Sequence, residues 1–547
     1  MRRSRLAVGT SLVLGTLALV AGVTAARARP AADSTFSYVS VSQVMVGWDP
    51  ASAYSNEIIA MSNMYETLTR YDPATKKAKP LLAQSFNSNK AGTVWTFKLR
   101  KGVTFHTGRP LTAQAAKAAI DRTRTLHQGA AYIWDAVKRI DAPDPYTLVF
   151  HLKYPAPLDL NASADYAAYI YDTKASGTEK LAKWFATGHD AGTGPYTVQS
   201  WQKGQEVELR QTQYAKYWGG WKGSHYTQIE YWVVPSVTTS AQLIRSGKVT
   251  FVERLNPQLW GSFKNDPKIR TTASPSWQNL LALLNTKSGP LADVRVRQAV
   301  SYALDYNGIV AALKGSAHRQ IGVVPPGLCG HFDNLPSPSY QPAKAKALLN
   351  QAGYGPGKKK LNLVLTHVQG DSDEDLVSTL IKSELAPLNI NLDVQSLQWP
   401  VQWAKGKSSN TAQRQDIFLF YWWPDYADPY SWFINIFHSE KQPYFNLSYY
   451  ANSKLDSTMN AAERAAAAHR AKAIGLYRQM QTTLLTDAPA IPLYVQQYQR
   501  TMLKSVSGFV DNPAYPNVTF VYGLKPTGWR ASSPTVWPSG CSSWWAS

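Results

Sequence analysis

The chain has 547 residues, of which 44% are hydrophobic and 12% aromatic, and its formal net charge at pH 7 is +21. This composition excludes an intrinsically disordered polypeptide, and the length allows roughly three domains around a substantial hydrophobic core. The basic residues are scattered along the chain without a nucleic-acid-reading motif, so the charge does not predict a nucleic-acid-binding protein.

The N-terminus has the pattern of an export signal. A basic segment precedes an apolar run over residues 6–23, and Ala26-Arg27-Ala28 then supplies the small-x-small pattern of a cleavage site. We predict a cleaved signal peptide over residues 1–28, with a retained membrane anchor as the alternative, because the run is almost long enough to cross a bilayer. No cysteine lies near the cleavage position, so a lipoprotein is not expected. An exported basic protein would meet anionic cell-wall polymers or lipid headgroups rather than nucleic acid.

The two cysteines, Cys329 and Cys541, are compatible with one disulfide in an exported protein. This bond would close a loop of about 210 residues and would stabilise the fold by at most roughly 5 kcal/mol in the chain-entropy account. Two unrelated thiols are the alternative.

Hydrophobic periodicity predicts strands and helices throughout the mature chain. The predicted strands cover residues 36–46, 94–99, 147–152, 197–201, 205–210, 229–234, 361–367, 390–396, 416–422 and 491–495. The predicted helices cover residues 56–68, 111–126, 237–246, 293–313, 343–352, 373–386 and 460–485. The two types alternate most regularly between residues 290 and 495, which is typical of an α/β protein with a doubly wound sheet.

Catalytic signatures do not accompany these elements. The sequence contains no G-x-S-x-G, H-E-x-x-H, C-x-x-C or P-loop motif, and its ten histidines do not cluster at metal-ligand spacing. A run of acids over residues 371–375 is typical of a helix start, because acids favour the first turn. We therefore expect neither an enzyme nor a bound metal or cofactor.

One segment combines carboxylates with aromatic side chains. FYWWPDYADPYSWF, residues 420–433, places Asp425 and Asp428 among eight aromatic residues. A buried carboxylate is costly unless something pairs with it. The two aspartates therefore either cap a helix at the end of a core strand or hold a cation that a ligand brings. A glycosidase acid pair fits less well, since its carboxylates must face each other across a sugar.

Nine segments, in order, resemble the extracytoplasmic solute-binding proteins of family 5, the oligopeptide, dipeptide and nickel receptors of ABC importers. They are YETLTRYD (65–72), PLLAQSF (80–86), TVWTFKLRKGVTFHTGRPLTA (93–113), GTGPYTVQSWQKGQEVEL (192–209), IEYWVVPSVTTSAQLIRSG (229–247), LNTKSGPLADVRVRQAVSYALD (284–305), AKALLNQAGY (345–354), DIFLFYWWPDYADPYSWF (416–433) and DAPAIPLY (487–494). These segments span the mature chain from end to end.

Most of these segments are expected to be scaffold. The segment 93–113 predicts a hairpin with turn glycines, followed by a helix capped by Thr112. Gly192 and Gly194 predict a close backbone approach that only small residues tolerate. The pattern VRVRQAVSYALD predicts an amphipathic helix with its valines inward and its arginines outward.

The resemblance implies an α/β fold of two lobes that close on a ligand, a clamp of the periplasmic-binding-protein type with an extra subdomain inserted in lobe one. After the signal peptide, the implied boundaries are 33–70, 191–283 and 495–547 for lobe one with its C-terminal tail, 71–190 for the inserted subdomain, and 284–494 for lobe two, with hinge crossings near 281–285 and 492–496. The implied function is that of a monomeric, non-catalytic receptor, which binds an oligopeptide between the lobes and delivers it to a membrane permease.

The resemblance also implies a set of ligand-binding residues. In peptide-binding members a carboxylate in a W-x-x-D segment grips the ammonium group of the ligand, and Asp425 occupies that position here. Asp428 is expected to cap the helix that begins near Tyr430. Further contacts are expected from the aromatic wall, from the backbone of strand 416–422 and from lobe one; these residues are Trp422, Trp423, Tyr421, Trp399, Trp403, Tyr54 and Ser55.

Other functions remain compatible with the sequence. The same fold could bind an oligosaccharide or another amine-bearing solute, or its output could be signalling rather than uptake. A secreted hydrolase is a further alternative without a supporting motif. No arginine or lysine for the carboxyl end of a peptide can be identified, so ligand length stays open.

Overall fold

The computed structural model describes residues 34–526. The strands are β1 (Thr35–Ser40), β2 (Thr69–Asp72), β3 (Lys77–Pro80), β4 (Ala83–Ser88), β5 (Val94–Leu99), β6 (Val137–Asp144), β7 (Thr147–Leu152), β8 (Tyr196–Trp201), β9 (Val207–Gln213), β10 (Gln228–Val233), β11 (Phe251–Val252), β12 (Ile269–Leu284), β13 (Ala317–Arg319), β14 (Leu361–Val368), β15 (Ile390–Leu397), β16 (Ile417–Trp422), β17 (Ala490–Leu503), β18 (Val506–Ser507) and β19 (Lys525–Pro526). The predicted mixture of strands and helices is confirmed.

The helices connect these strands and cover the sheet. They are α1 (Ile58–Met64), α2 (Ala113–Leu126), α3 (Leu158–Asn161), α4 (Leu181–Ala186), α5 (Val237–Arg245), α6 (Pro257–Ser262), α7 (Val294–Ala303), α8 (Tyr306–Ala312), α9 (Pro342–Gln351), α10 (Ser372–Leu385), α11 (Trp399–Gly406), α12 (Tyr430–Ile436), α13 (Ser453–Ala468) and α14 (Arg470–Asp487). Short 3₁₀ turns cover residues 131–134, 290–292, 386–388, 411–413 and 521–523.

Two long antiparallel strands, β12 and β17, tie the two lobes into one sheet. The strand order is β15-β14-β16-β12-β17-β11-β1-β10-β9-β8, with β13 also paired to β17. By the predicted boundaries, lobe one holds β1 and β8 to β11, and lobe two holds β13 to β16. The predicted boundaries at 283/284 and 494/495 both fall inside these long strands, and the β12–β17 register is irregular between Pro275 and Asn279. Proline lacks the N–H that a ladder needs, which accounts for a break directly after Pro275.

A separate four-stranded sheet, β4-β5-β7-β6, lies within the segment predicted to be inserted. Its hairpin and helix form as expected. Gly102 and Gly108 have φ of 76° and 83°, and the Thr112 side chain accepts a hydrogen bond from Ala115 N at 3.2 Å. At the return to lobe one, a Cβ on Gly192 would lie 2.0 Å from the carbonyl oxygen of Met64, so this close approach does require glycine.

Two predicted helices are each divided in the structure. The helix predicted over 293–313 consists of α7 and α8, because Leu304 is extended (φ −89°, ψ 129°) and Asp305 caps a new helix through Gly308 N at 3.0 Å. The helix predicted over 460–485 consists of α13 and α14. His469 between them has φ −137°, outside the helical region.

The prediction that the arginines of α7 point outward is wrong for Arg297. Its side chain is buried at 6% exposure, whereas Val294 is 37% exposed. The guanidinium donates to the carbonyl oxygen of Asp487 at 2.6 and 2.9 Å and to those of Leu291 and Ala292 at 2.8 and 2.9 Å. A buried cation is tolerated here because the ends of two other segments supply carbonyl acceptors.

Some predictions concern residues outside the described range. The signal peptide over 1–28 and Cys541 lie outside residues 34–526, while Cys329 is buried. Over the described range, no helix combines the length and the apolar character that a membrane span needs. Over the same range, no three His, Cys, Asp or Glu side chains are grouped as a metal site would require.

Candidate functional site

The two lobes face each other through the carboxyl ends of their parallel strands. In lobe one, β1 runs parallel to β10 and β11; in lobe two, β14 runs parallel to β15 and β16. The segments that follow these ends are 41–57 and 253–257 in lobe one, and 369–374, 398–407 and 423–429 in lobe two. Ligands of α/β proteins bind at such ends, which places the candidate site in the cleft between these segments.

Asp425 is buried in this cleft at 1% exposure. Its Oδ2 accepts hydrogen bonds from Tyr54 Oη at 2.8 Å, from Asn435 Nδ2 at 3.0 Å and from Tyr132 Oη. Tyr54 follows β1 of lobe one, Tyr132 belongs to the inserted subdomain, and Asn435 lies on α12 of lobe two. The carboxylate therefore joins three parts of the molecule.

The electrostatic state of Asp425 is unusual because its hydrogen-bond partners are all uncharged. Burial raises the pKa of this carboxyl to about 7, and the hydrogen bonds from Tyr132, Tyr54 and Asn435 offset only part of that rise. Burial and the neighbouring Asp425 also raise the pKa values of Tyr54 and Tyr132 well above the usual range, so both hydroxyls remain donors. A positively charged group of a ligand would therefore meet, at Asp425, a carboxylate whose hydrogen-bond partners carry no charge.

Asp428 has a different role from Asp425. Its Oδ1 accepts hydrogen bonds from Tyr430 N at 2.9 Å and from Tyr477 Oη at 2.6 Å. The first bond satisfies the amide of Tyr430, the first residue of α12, as predicted, while Pro429 occupies the N-cap position itself. The second fixes the loop to α14.

Aromatic side chains form a continuous wall beside Asp425. Trp422 is 5% exposed and its ring centroid lies 5.0 Å from that of Phe445, which in turn lies 5.0 Å from Tyr54. Trp399 and Trp403 extend the wall: their rings are 5.1 Å apart, and Trp399 stacks on the β16 residue Phe420 at 6.2 Å. The wall runs from the end of β15 to lobe one.

A second contact between the lobes passes through Tyr166. Trp423 Nε1 donates to Tyr166 Oη at 3.2 Å, and Tyr166 Oη donates to the carbonyl oxygen of Ser55 at 2.7 Å. The structure thus brings seven of the predicted residues into one neighbourhood, and these are Asp425, Trp422, Trp423, Trp399, Trp403, Tyr54 and Ser55.

The eighth predicted residue, Tyr421, turns its side chain to the opposite face of β16. Its hydroxyl lies 2.6 Å from that of Tyr494, and its ring packs against the core of lobe two. Its backbone pairs with Leu280 of β12. On the other edge of β16, β14 pairs only with Ile417 and Phe418 among the described strands, so the strand continues beyond its neighbour on that side.

Sequence reasoning missed Tyr132, Asn435, Tyr166 and Phe445. Asn435 follows Asp425 by ten residues on the next helix, so its proximity could have been inferred locally. Tyr132 lies 293 residues from Asp425 along the chain, and no local pattern indicates this contact.

Two α/β lobes that meet at their strand ends, with an uncompensated carboxylate and an aromatic wall between them, define a solute-binding protein of the clamp type. A model of the family "Bacterial extracellular solute-binding proteins, family 5 Middle" matches residues 77–444, so the chain belongs to family 5 of these proteins. Members bind peptides or other solutes outside the cytoplasm and work with ABC permeases.

Three similar proteins illustrate the range of this family. The probable D,D-dipeptide-binding periplasmic protein DdpA of Escherichia coli is 27% identical, covering 86% of this chain and 90% of its own. The glutathione-binding protein GsiB of Salmonella choleraesuis is 26% identical, covering 84% and 93%. The periplasmic binding protein DppA of Helicobacter pylori, solved with the peptide STSA, superposes with a TM-score of 0.79 at 21% identity, covering 90% and 98%. The predicted family and fold are confirmed.

Proposed function

We propose that this protein binds a short peptide through its ammonium group at Asp425 and delivers it to an ABC permease. The observation that carries the proposal is the buried Asp425 carboxylate, whose hydrogen-bond partners are uncharged. A dipeptide and glutathione, the ligands named for two relatives, each carry such an ammonium group.

The cleft supports this proposal in three steps. The ammonium group would approach Asp425 while Tyr54, Tyr132 and Asn435 continue to donate to its Oδ2. The aromatic wall would exclude water, which strengthens a charge-assisted hydrogen bond. The extended backbone of the peptide would add to the edge of β16 that continues beyond β14. Binding energy would then select the closed arrangement of the lobes.

The proposal has consequences outside the cleft. The protein would act as a monomer on the outer side of the membrane, exported by the predicted signal peptide and held near its permease by the membrane or by anionic cell-wall polymers. It would have no catalytic activity of its own. The predicted lobe boundaries and ligand contacts are part of this proposal.

Calorimetry with matched peptides tests the proposal. Dialanine and trialanine are expected to bind, and their N-acetylated forms are expected to bind at least about tenfold more weakly, because acetylation removes the positive charge. Equal binding of free and acetylated peptides would contradict the ammonium anchor. If other amines bind and peptides do not, Asp425 still pairs with an ammonium group, but the ligand is not a peptide.

The affinity for a peptide is expected to depend on pH. Since burial raises the pKa of Asp425 to about 7, the carboxyl must release a proton before it can pair with an ammonium group below that pH. The dissociation constant should therefore rise about tenfold per unit as pH falls below 7, and should be flat up to about pH 8, where the α-amino group begins to lose its proton. Titrations between pH 5 and pH 8 measure this dependence. A flat profile would show that Asp425 is already ionised in the free protein.

The indole nitrogen of Trp422 is expected to contribute to the ligand contact. Nε1 is buried and has no hydrogen-bond partner among the described residues. An unpaired buried donor is costly, and a carbonyl group of the ligand would satisfy it. Trp422→Phe should therefore change the free energy of unfolding by less than about 1 kcal/mol and weaken peptide binding about fivefold. Denaturant unfolding and calorimetry on the same variant separate the two effects; unchanged affinity would remove Trp422 as a donor.

A further inference from the structure

A second group of charged side chains joins the two lobes, apart from Asp425. Arg254 follows β11 in lobe one, and Asp371 and Asp373 follow β14 in lobe two. Arg254 Nη1 lies 3.1 Å from Asp371 Oδ2, and Nη2 lies 2.5 Å from Asp373 Oδ2. Together these three residues form a bridge between the lobes.

The bridge is partly buried and fixed at both ends. The side chains of Arg254, Asp371 and Asp373 are 29%, 17% and 6% exposed. With its amide oxygen turned toward Arg254, Gln496 on the crossing strand β17 accepts from Nη1 and Nη2 at 3.2 and 3.1 Å. Asp371 also caps α10 by accepting from the amides of Asp373 and Glu374 at 3.0 Å.

The positive charge of Arg254 is already balanced within the bridge by Asp371 and Asp373. Arg254 faces two carboxylates, so a third carboxylate from a ligand would be repelled by Asp371 and Asp373 rather than attracted. Arg254 is therefore not the missing receptor for the carboxyl end of a peptide. Instead, Arg254 connects the segment after β11 in lobe one to the segment after β14 in lobe two by salt bridges.

The position of the bridge relative to Asp425 follows from the sheet. In lobe two, β14 lies beside β16, and Asp425 follows the end of β16 while Asp371 follows the end of β14. A peptide anchored at Asp425 and added to the part of β16 that continues beyond β14 would extend toward the end of β14 at about 3.4 Å per residue, and so toward Asp371.

We propose that the Arg254–Asp371–Asp373 bridge closes the cleft at the end of β14, so that the site accepts short solutes and excludes extended ones. The limit on ligand length rests on the proposed function, while the salt-bridge connection between the lobes does not. A longer ligand would have to separate Arg254 from both aspartates before the lobes could close around it.

Two variants test the bridge without disturbing the Asp425 site. Asp373→Asn removes one carboxylate and leaves the cap of α10, which Asp371 supplies. Arg254→Ala removes the cation. Arg295→Ala is the matched control, because Arg295 pairs with Asp293 within lobe two at 2.6 Å. Hydrogen exchange of the amides in 253–257 and 369–374 should become at least about threefold faster in both test variants and remain unchanged in the control. Unchanged hydrogen exchange of these amides in Arg254→Ala would contradict the role of the bridge in holding the lobes together.

The length limit is measured with dialanine, trialanine and hexaalanine. The unmodified protein should bind hexaalanine at least about tenfold more weakly than dialanine, and Asp373→Asn should reduce this difference to within about threefold. The charge-swapped variant Arg254→Asp with Asp373→Arg should restore the preference. Hexaalanine bound as tightly as dialanine by the unmodified protein would overturn the proposal. If no peptide binds but hydrogen exchange in 253–257 and 369–374 is faster in Arg254→Ala, the peptide function is contradicted and the salt-bridge connection between the lobes is supported.

Discussion

Asp425→Asn is expected to weaken peptide binding at least about 100-fold, corresponding to roughly 3 kcal/mol. Asparagine has nearly the shape of aspartate, and its carbonyl oxygen can still accept from Tyr54 and Tyr132. The loss is therefore attributable to the negative charge that the ammonium group requires.

The same variant is expected to stabilise the protein at high pH. The pKa of Asp425 is raised from 3.8 in an unfolded chain to about 7 in the fold, so the folded state holds a proton that the unfolded state releases. The free energy of unfolding therefore falls as pH rises from about 4 to 7, by roughly 4 kcal/mol in all, and stays low above pH 7. The asparagine side chain of the variant cannot ionise and avoids this loss.

Calorimetry and denaturant unfolding at pH 5 and pH 8 measure both effects. The unmodified protein should lose more stability between these pH values than Asp425→Asn does. Asp428→Asn is the control on the same loop: it weakens the contacts to Tyr430 and Tyr477 and should leave affinity within about threefold. Unaltered peptide binding by Asp425→Asn would show that the ammonium group binds elsewhere.

Arg297→Met is expected to lower the free energy of unfolding by about 3 kcal/mol or more. Methionine fills much of the same volume but leaves the carbonyl oxygens of Leu291, Ala292 and Asp487 without the buried donor that each now has. These carbonyls belong to the turn before α7 and to the C-terminus of α14. The substitution therefore loosens the packing of two helices of lobe two.

Arg295→Met provides the comparison two residues earlier in α7. Its side chain is 47% exposed and pairs with Asp293, so its removal should cost less than about 1 kcal/mol. Urea unfolding of the two variants measures the difference. Equal losses would show that the buried position of Arg297 does not determine its contribution.

The general fold was predictable because its signals are local and repeated. Turn glycines, the Thr112 cap and the alternation of strands and helices are properties of short segments, and nine such segments occur in the order of one family. The contact of Asp428 with the start of α12 also followed from local sequence, since Asp428 lies two residues before Tyr430. The role of Asp425 was implied only by the family resemblance and stays a proposal.

The remaining features depend on contacts between distant segments. Tyr132 reaches Asp425 across 293 residues, and Arg297 meets the carbonyl of Asp487 across 190. Periodicity describes which face of an element is apolar but not which polar groups another segment brings to that face. The division between α7 and α8 depends on a local signal instead. Asp305 is a typical N-cap residue, but the apolar pattern continues on both sides of it, so the sequence predicted one helix.

Native mass spectrometry of the protein and of Asp425→Asn, both purified without denaturation and incubated with dialanine, tests the central claim most directly. The unmodified protein should retain dialanine in a one-to-one complex at pH 7.5, and Asp425→Asn should not. Equal retention by the two proteins would contradict the role of Asp425 as the counter-ion of the ligand.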